Sequence, residues 1–177
     1  MATLPLVLSC GGGGGGGGTT TGGGTPIDPQ GNYTVTYNPS SVIETCTVTN
    51  TSTGATSQVS VTVPFSSGTL TITKDTSGNF TATSPDGESF NNVQLTCDSN
   101  SCTGSYNATV VLTGSDPNLG PYTVSEPVAA NNIVITSNSI AWSETIGTIT
   151  VSYSNHPEIT ESCTVSPNTI NVSGTKQ

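Results

Sequence analysis

Apolar and hydroxyl-bearing residues alternate along most of the chain from residue 31 onward. In the segments 59–63 and 149–153, every second residue is apolar and the residues between them are Ser or Thr. A two-residue period places one side of a β-strand in a core and the other side in water, and β-branched Thr suits the exposed side. Because no segment has a convincing helical period, the pattern predicts an all-β fold.

Turn-forming residues separate the predicted strands at short intervals. These turns contain Asn38-Pro39, Ser66-Ser67-Gly68, the segment 75–79, Pro85-Asp86-Gly87 and the segment 98–101. Hairpin-length turns join neighbouring antiparallel strands, and we expect an antiparallel meander of about ten strands, twelve at most. Closing such a meander removes its edges, which favours an up-and-down barrel, with a β-sandwich as the alternative.

Four of the five cysteines lie at inward positions of predicted strands. Each has an apolar residue of the same phase two to four positions away. Cys97 and Cys102 flank a four-residue turn, and we therefore predict that they form a cross-strand disulfide. The remaining pair is then Cys46–Cys163, although four cysteines permit two other pairings. Two disulfides indicate an oxidising compartment.

One internal sequence similarity supports the disulfide between Cys46 and Cys163. The segments 34–37 and 44–48 are repeated in character by 150–153 and 161–165, including the Glu-x-Cys-x-Val pattern. We interpret the two copies as matching hairpins that become neighbours where the barrel closes, so that Cys46 meets Cys163. The alternative is coincidence in a chain rich in Thr.

The charge balance excludes several classes of partner. The formal net charge is −9, charged residues make up 7% of the chain, and the only cationic side chains besides His are Lys74 and Lys176. Nucleic-acid binding and electrostatic docking to anionic lipid both need several Lys or Arg residues, so we expect neither. Acids in the turns are explained by turn chemistry. We predict no metal site and no cofactor.

The N-terminus carries a recognisable export pattern. The residues Val7, Leu8, Ser9 and Cys10, followed by eight glycines, resemble the lipobox of bacterial lipoproteins. The resemblance implies cleavage before Cys10 and a diacylglycerol on its thiol. No Lys or Arg precedes the apolar stretch, so we expect 1–9 to be the truncated end of a longer signal peptide.

The same resemblance predicts the domain organisation and the location. Residues 10–30 would be the lipidated Cys and a flexible Gly-rich tether, and 31–177 a single all-β domain. Gly11 stands where an Asp would mark retention in the inner membrane, which implies the outer membrane or the cell surface. The predicted partner is therefore a lipid bilayer, through acylated Cys10.

The opening of the first predicted strand has its own resemblance. Gly31-Asn32-Tyr33 is similar to the Gly-x-Trp that opens the first strand of lipocalins and other calycins, with Tyr in place of Trp. The resemblance implies a small closed barrel.

Residues suited to catalysis are scarce. His156 precedes Pro157 in a predicted turn, and the chain has no Gly-x-Ser-x-Gly motif. The acid pairs Glu158 with Glu161 and Asp86 with Glu88 would catalyse glycoside hydrolysis only if they faced each other across a cleft. We predict no catalytic residue.

Three functions remain in competition. The first is a non-enzymatic binding or surface-interaction domain that takes a small apolar ligand, a glycan or an envelope protein; Trp142 and Tyr106 are its candidate ligand-binding residues. The second is a structural subunit of an envelope layer or filament, because weakly charged strands permit edge pairing. The third is a glycan-active hydrolase.

Overall fold

Twelve antiparallel β-strands make up a computed structural model of the protein, which describes residues 24–85 and 89–177. The strands are β1 (Gly31–Asn38), β2 (Ser41–Asn50), β3 (Ala55–Pro64), β4 (Gly68–Lys74), β5 (Phe80–Thr83), β6 (Ser89–Cys97), β7 (Cys102–Asp116), β8 (Gly120–Ile135), β9 (Ser139–Ile146), β10 (Ile149–Tyr153), β11 (Ile159–Ser166) and β12 (Thr169–Lys176). The all-β prediction is confirmed. Within the described ranges, no helix has the length and apolar character needed to cross a membrane.

Eight of the strands close into a barrel. Strands β4 to β9 follow one another as a meander, and β12 and β1 complete the ring between β9 and β4. The predicted up-and-down barrel is therefore confirmed. Its antiparallel neighbours are joined by short connections, as between Cys97 and Cys102 and between Ile135 and Ser139.

Aspartates stabilise the turns between these strands. The Oδ1 atom of Asp75 accepts hydrogen bonds from the backbone N–H groups of Ser77 and Asn79, at 2.8 and 2.9 Å. Asp98 and Asp116 accept two backbone hydrogen bonds each in the same way. Such bonds fix a tight turn locally and explain why these acids recur at strand ends.

The other four strands form a sheet that continues from the barrel, here called the extension (β2, β3, β10 and β11). Strand β8 is long enough to belong to both parts. Its residues 122–125 pair with β10, whereas 128–135 pair with β9. The order continues from β10 through β11 and β2 to β3. Pro127 separates the two halves of β8, and its carbonyl accepts a hydrogen bond from Gly147 N–H at 2.7 Å.

The structure confirms only part of the interpretation of the internal sequence similarity. The second copy, β10 with β11, is a hairpin as expected. The interpretation of the first copy as a hairpin is wrong, because β1 belongs to the barrel and pairs with β12, whereas β2 belongs to the extension and pairs with β11. Pro39 separates β1 from β2, and Pro167 separates β11 from β12. Strands β2 and β11, the second strand of each copy, are neighbours as expected, but they meet in the extension and not where the barrel closes.

Both predicted disulfides are present. Cys46 on β2 lies directly opposite Cys163 on β11, with the Cα atoms 3.9 Å apart, and the bond joins residues 117 positions apart. Cys97 and Cys102 are bonded across the turn between β6 and β7. One bridge therefore fastens the extension, and the other fastens one end of the barrel.

The segment before β1 lies against that same end of the barrel. The backbone N–H of Ile27 donates to the carbonyl of Asp98 at 2.8 Å, and the hydroxyl of fully buried Tyr33 donates to the carbonyl of Pro29 at 2.8 Å. Lys176 Nζ donates to the carbonyl of Asp28 at 3.2 Å. The described residues of the predicted tether thus contact the barrel before residue 31.

Candidate functional site

The barrel encloses an apolar cavity. Its wall is formed by side chains from the meander strands β4 to β9, such as Ile72, Phe80 and Leu95. The cavity volume is about 60 Å³, within a wider space of about 610 Å³ that is partly open to solvent. Among the described residues of the wall, Glu144 alone is charged. The cavity therefore suits a small or slender apolar molecule.

Both candidate ligand-binding residues lie on this wall. Trp142 projects from β9 and Tyr106 from β7. The Tyr106 ring packs edge-on against Phe90, with ring centroids 5.8 Å apart. The structure thus brings Trp142 and Tyr106 to the same cavity, while their contact with a ligand stays a prediction.

Glu144 is the one acid among the described wall residues. It lies two residues after Trp142 on the same face of β9, and the indole Nε1–H of Trp142 donates to its Oε2 at 3.3 Å. Burial raises the pKa of the Glu144 carboxyl, because the charged form is poorly solvated, and the indole hydrogen bond partly offsets this.

Glu126 is the most buried acid of the protein among the described residues. It lies on β8 in phase with Val124 and Val128, and its exposed fraction is 8%. Burial, together with the charges of Glu44 and Glu144, raises the pKa of Glu126 to about 7. A carboxylate that is buried without an opposite charge is unfavourable, so the protonated form is favoured and the pKa rises.

The two lysines lie elsewhere. Lys74 Nζ lies 5.2 Å from the centroid of the Phe80 ring, and Lys176 Nζ lies 5.7 Å from that of Tyr33. The chain has no Arg. No Lys or Arg side chain is therefore available to neutralise Glu126.

Two further acids continue the row into the extension. Glu44 on β2 has a raised pKa, through burial and then through the charge of Glu161 on β11. Tyr153 O–H donates to Glu161 Oε2 at 2.9 Å, and burial followed by this hydrogen bond raises the pKa of Tyr153 to about 12. Glu44, Glu126, Glu144 and Glu161 are here called the acidic row.

The bridge Cys46–Cys163 lies beside the acidic row. Glu44 Oε1 is 3.3 Å from the Cys46 sulfur, and one ligand atom from each of Glu44, Cys46 and Cys163 lies within 4.8 Å of the others. Metal ions bind the thiolate form of Cys, and these sulfurs are bonded to each other. The arrangement is therefore a disulfide next to a carboxyl, with no thiolate ligand to offer.

Sequence reasoning missed the acidic row, although a signal was present. Glu44 has the phase of Val42 and Cys46, and Glu126 that of Val124 and Val128. Glu144 likewise follows the phase of Trp142 and Ile146. An acid that occupies an apolar position in an alternating strand indicates a buried carboxyl.

The residues considered for catalysis are placed apart from one another. His156 Nδ1 lies 3.0 Å from Glu158 Oε1 in a partly exposed turn, and this contact lowers the pKa of Glu158. Glu161, in contrast, contacts Tyr153. Glu158 and Glu161 therefore have different partners. Asp86 and Glu88 lie outside the described residues, as does the predicted lipidation site Cys10.

Comparisons with known proteins give no family for the chain. No protein-family model matches it, and no curated protein or solved structure matches it.

Proposed function

We propose that the barrel binds a small apolar molecule in its cavity, as a non-enzymatic binding domain. The observation that carries this proposal is the cavity itself, whose wall is built from aliphatic and aromatic side chains and includes both Trp142 and Tyr106. Burial of an apolar ligand removes about 25 cal/mol of unfavourable hydration for each Å² of apolar surface. A wall of this kind allows a ligand to bury its apolar surface.

The cavity supports an apolar ligand better than a glycan. A sugar needs several hydrogen-bonding groups around its hydroxyls, whereas the described wall is almost wholly hydrocarbon and Glu144 is its one acid. The hydrolase alternative requires a polar cleft between two carboxyls. We therefore place ligand binding before glycan hydrolysis.

The proposed location is the bacterial cell envelope. Two disulfides indicate an oxidising compartment outside the cytoplasm. We propose further that Cys10 carries the lipid and that the protein is held at the outer membrane or the cell surface, which rests on the lipobox resemblance of Val7 to Cys10.

Native mass spectrometry of the protein extracted from the envelope of its own host tests both proposals. We expect a chain that begins at Cys10, carries acyl mass, and retains a discrete small molecule that is lost on unfolding. In a Cys10→Ser variant, the acyl mass should disappear while the bound molecule remains. A chain that retains residues 1–9 without acyl mass would contradict the lipoprotein proposal. A protein free of bound molecules would count against the proposed binding of a small apolar molecule.

A second candidate function is assembly through a sheet edge. Strand β3 ends the sheet order and pairs only with β2 in the part of the chain that the structure describes. Its ten residues carry no charge, most are exposed, and Val59 is 37% exposed. Edge strands that lack charged residues permit pairing with another strand.

Sedimentation velocity over a range of concentrations tests this candidate. Assembly through β3 predicts oligomers in the wild type that Val59→Lys dissociates, whereas Val111→Lys, on the surface of β7, should leave them intact. A wild type that remains monomeric at every concentration would exclude assembly through this edge.

A further inference from the structure

We propose that the cavity ligand carries a positively charged amine, and that Glu144 and Glu126 bind its ammonium group while its apolar body fills the barrel. This inference rests on the proposed ligand binding and specifies the class of ligand. The two observations behind it are independent of each other: an apolar cavity with one acidic wall residue, and a deeply buried carboxyl without a cationic partner.

The position of the two acids is the first step. Glu144 lies on the cavity wall, in register with Ala130 of β8, which also lines the cavity. Glu126 lies on the same face of β8, two residues before Val128, a further wall residue. Glu144 therefore lies at the end of the cavity from which the extension continues, and Glu126, which is not itself a wall residue, lies just beyond that end on the same face of β8.

The segment 27–30 lies against the opposite end of the barrel. There the Ile27 N–H donates to the carbonyl of Asp98, and the Tyr33 hydroxyl donates to the carbonyl of Pro29. Because Glu144 and Glu126 lie near the other end, a ligand with one charged group would place that group at their end. The apolar part would then lie along the meander strands.

The second step is the lack of a positive charge near the Glu126 carboxylate. Strand β7 places Val110 directly opposite it, and β10 pairs with β8 next to it through Val151 and Val124. The charged groups that act on it are Glu44 and Glu144, and both are acids. A buried carboxylate is stabilised by an opposite charge within hydrogen-bonding distance, which this part of the chain does not supply.

An organic ammonium fits this environment better than a metal ion. Calcium takes six to eight oxygen ligands, whereas Val110 lies opposite Glu126 and the other described wall residues around Glu144 are aliphatic or aromatic. An alkylammonium needs only one or two carboxylates for its N–H groups, and its hydrocarbon part matches the wall. The net charge of −9 also attracts cations towards the protein.

Matched alkyl probes test the inference. Hexylamine and 1-hexanol have the same apolar body, and at pH 8 the amine is charged because primary amines titrate near 10.4. Binding is followed by the fluorescence of Trp142, the only Trp of the chain, and by calorimetry. We expect the amine to bind at least about tenfold more tightly than the alcohol, which corresponds to about 1.4 kcal/mol.

Three variants assign the preference to the buried acids. In Glu126→Gln and Glu144→Gln, the amine should lose most of its tenfold advantage, while the affinity for 1-hexanol stays within about twofold. Glu158→Gln removes the same charge from an exposed turn and should leave the preference unchanged. Far-UV circular dichroism verifies that each variant keeps the sheet.

The outcomes separate the inference from the proposed function. Equal or tighter binding of 1-hexanol in the wild type would overturn the inference while supporting an apolar ligand. An amine preference that persists in both Glu126→Gln and Glu144→Gln would also overturn it, because the attraction would then come from the surface charge. If neither probe binds saturably, the proposed apolar ligand itself is refuted.

Discussion

The ionisation of Glu126 makes the stability of the fold depend on pH. Its pKa is raised from 4.5 to about 7 in the folded protein. Each pKa unit corresponds to about 1.36 kcal/mol, so the shift corresponds to about 3 kcal/mol. Because the folded state binds this proton more tightly, the contribution of Glu126 is fully present below pH 4.5. It is lost as the pH rises through about 7.

Replacement by Gln isolates this contribution. Glu126→Gln keeps the size of the side chain and imitates the protonated acid, so it should match the wild type within about 1 kcal/mol at pH 4.5. At pH 8 the variant should be the more stable protein, by up to about 3 kcal/mol. Glu44 and Glu144 are present in both proteins, and the difference therefore reports on Glu126.

Urea unfolding between pH 4.5 and pH 8, with both disulfides intact, measures the difference. Glu158→Gln is the matched control, because the pKa of Glu158 is lowered by His156. Its loss should therefore slightly destabilise the protein at pH 8, a change of the opposite sign. A stability difference between Glu126→Gln and the wild type that is the same at every pH would refute the reasoning.

Three other predictions concern the two disulfides and the close contact between Gly174 on β12 and strand β1. Replacing Cys46 and Cys163 by Ser should lower the free energy of unfolding by about 5 kcal/mol on the loop-entropy model, and replacing Cys97 and Cys102 by about 2 kcal/mol. Equal losses of unfolding free energy in the two variants, measured by urea unfolding, would contradict the prediction that the bridge closing the longer loop stabilises the fold more. Gly174→Ala should destabilise the barrel by about 1–3 kcal/mol, because its Cβ would lie 2.8 Å from a backbone oxygen of β1. An unchanged melting temperature would show that β1 and β12 separate readily at this point.

Local patterning made much of the fold predictable. The alternation in segments such as 149–153 predicts strands, and the phase of Cys46 and Cys163 places both sulfurs on the inner face. Short turns further predict the meander of β4 to β9. All of these are properties of residues close together in sequence, which a single chain displays directly.

The junction between the barrel and the extension could not be predicted from local sequence patterns. Strand β8 changes partner from β10 to β9 near Pro127, and a register shift follows between Asn131 and Val134. Which strands lie beside a long strand depends on packing between distant segments, and alternation is the same in either arrangement. The same limit explains why the assembly of the acidic row from four strands was not anticipated, although the phase of Glu44, Glu126 and Glu144 marks each of them as an inward residue.

Filling the cavity tests the central claim most directly. Ala82 on β5 lies on the cavity wall, and Ala82→Leu adds three carbon atoms to that space. Titration of 1-hexanol, followed by Trp142 fluorescence, should give saturable one-to-one binding to the wild type. The same titration should give little or no binding to Ala82→Leu, provided that its circular dichroism is unchanged. Equal binding to both proteins, or none to the wild type, would contradict a ligand site inside the barrel.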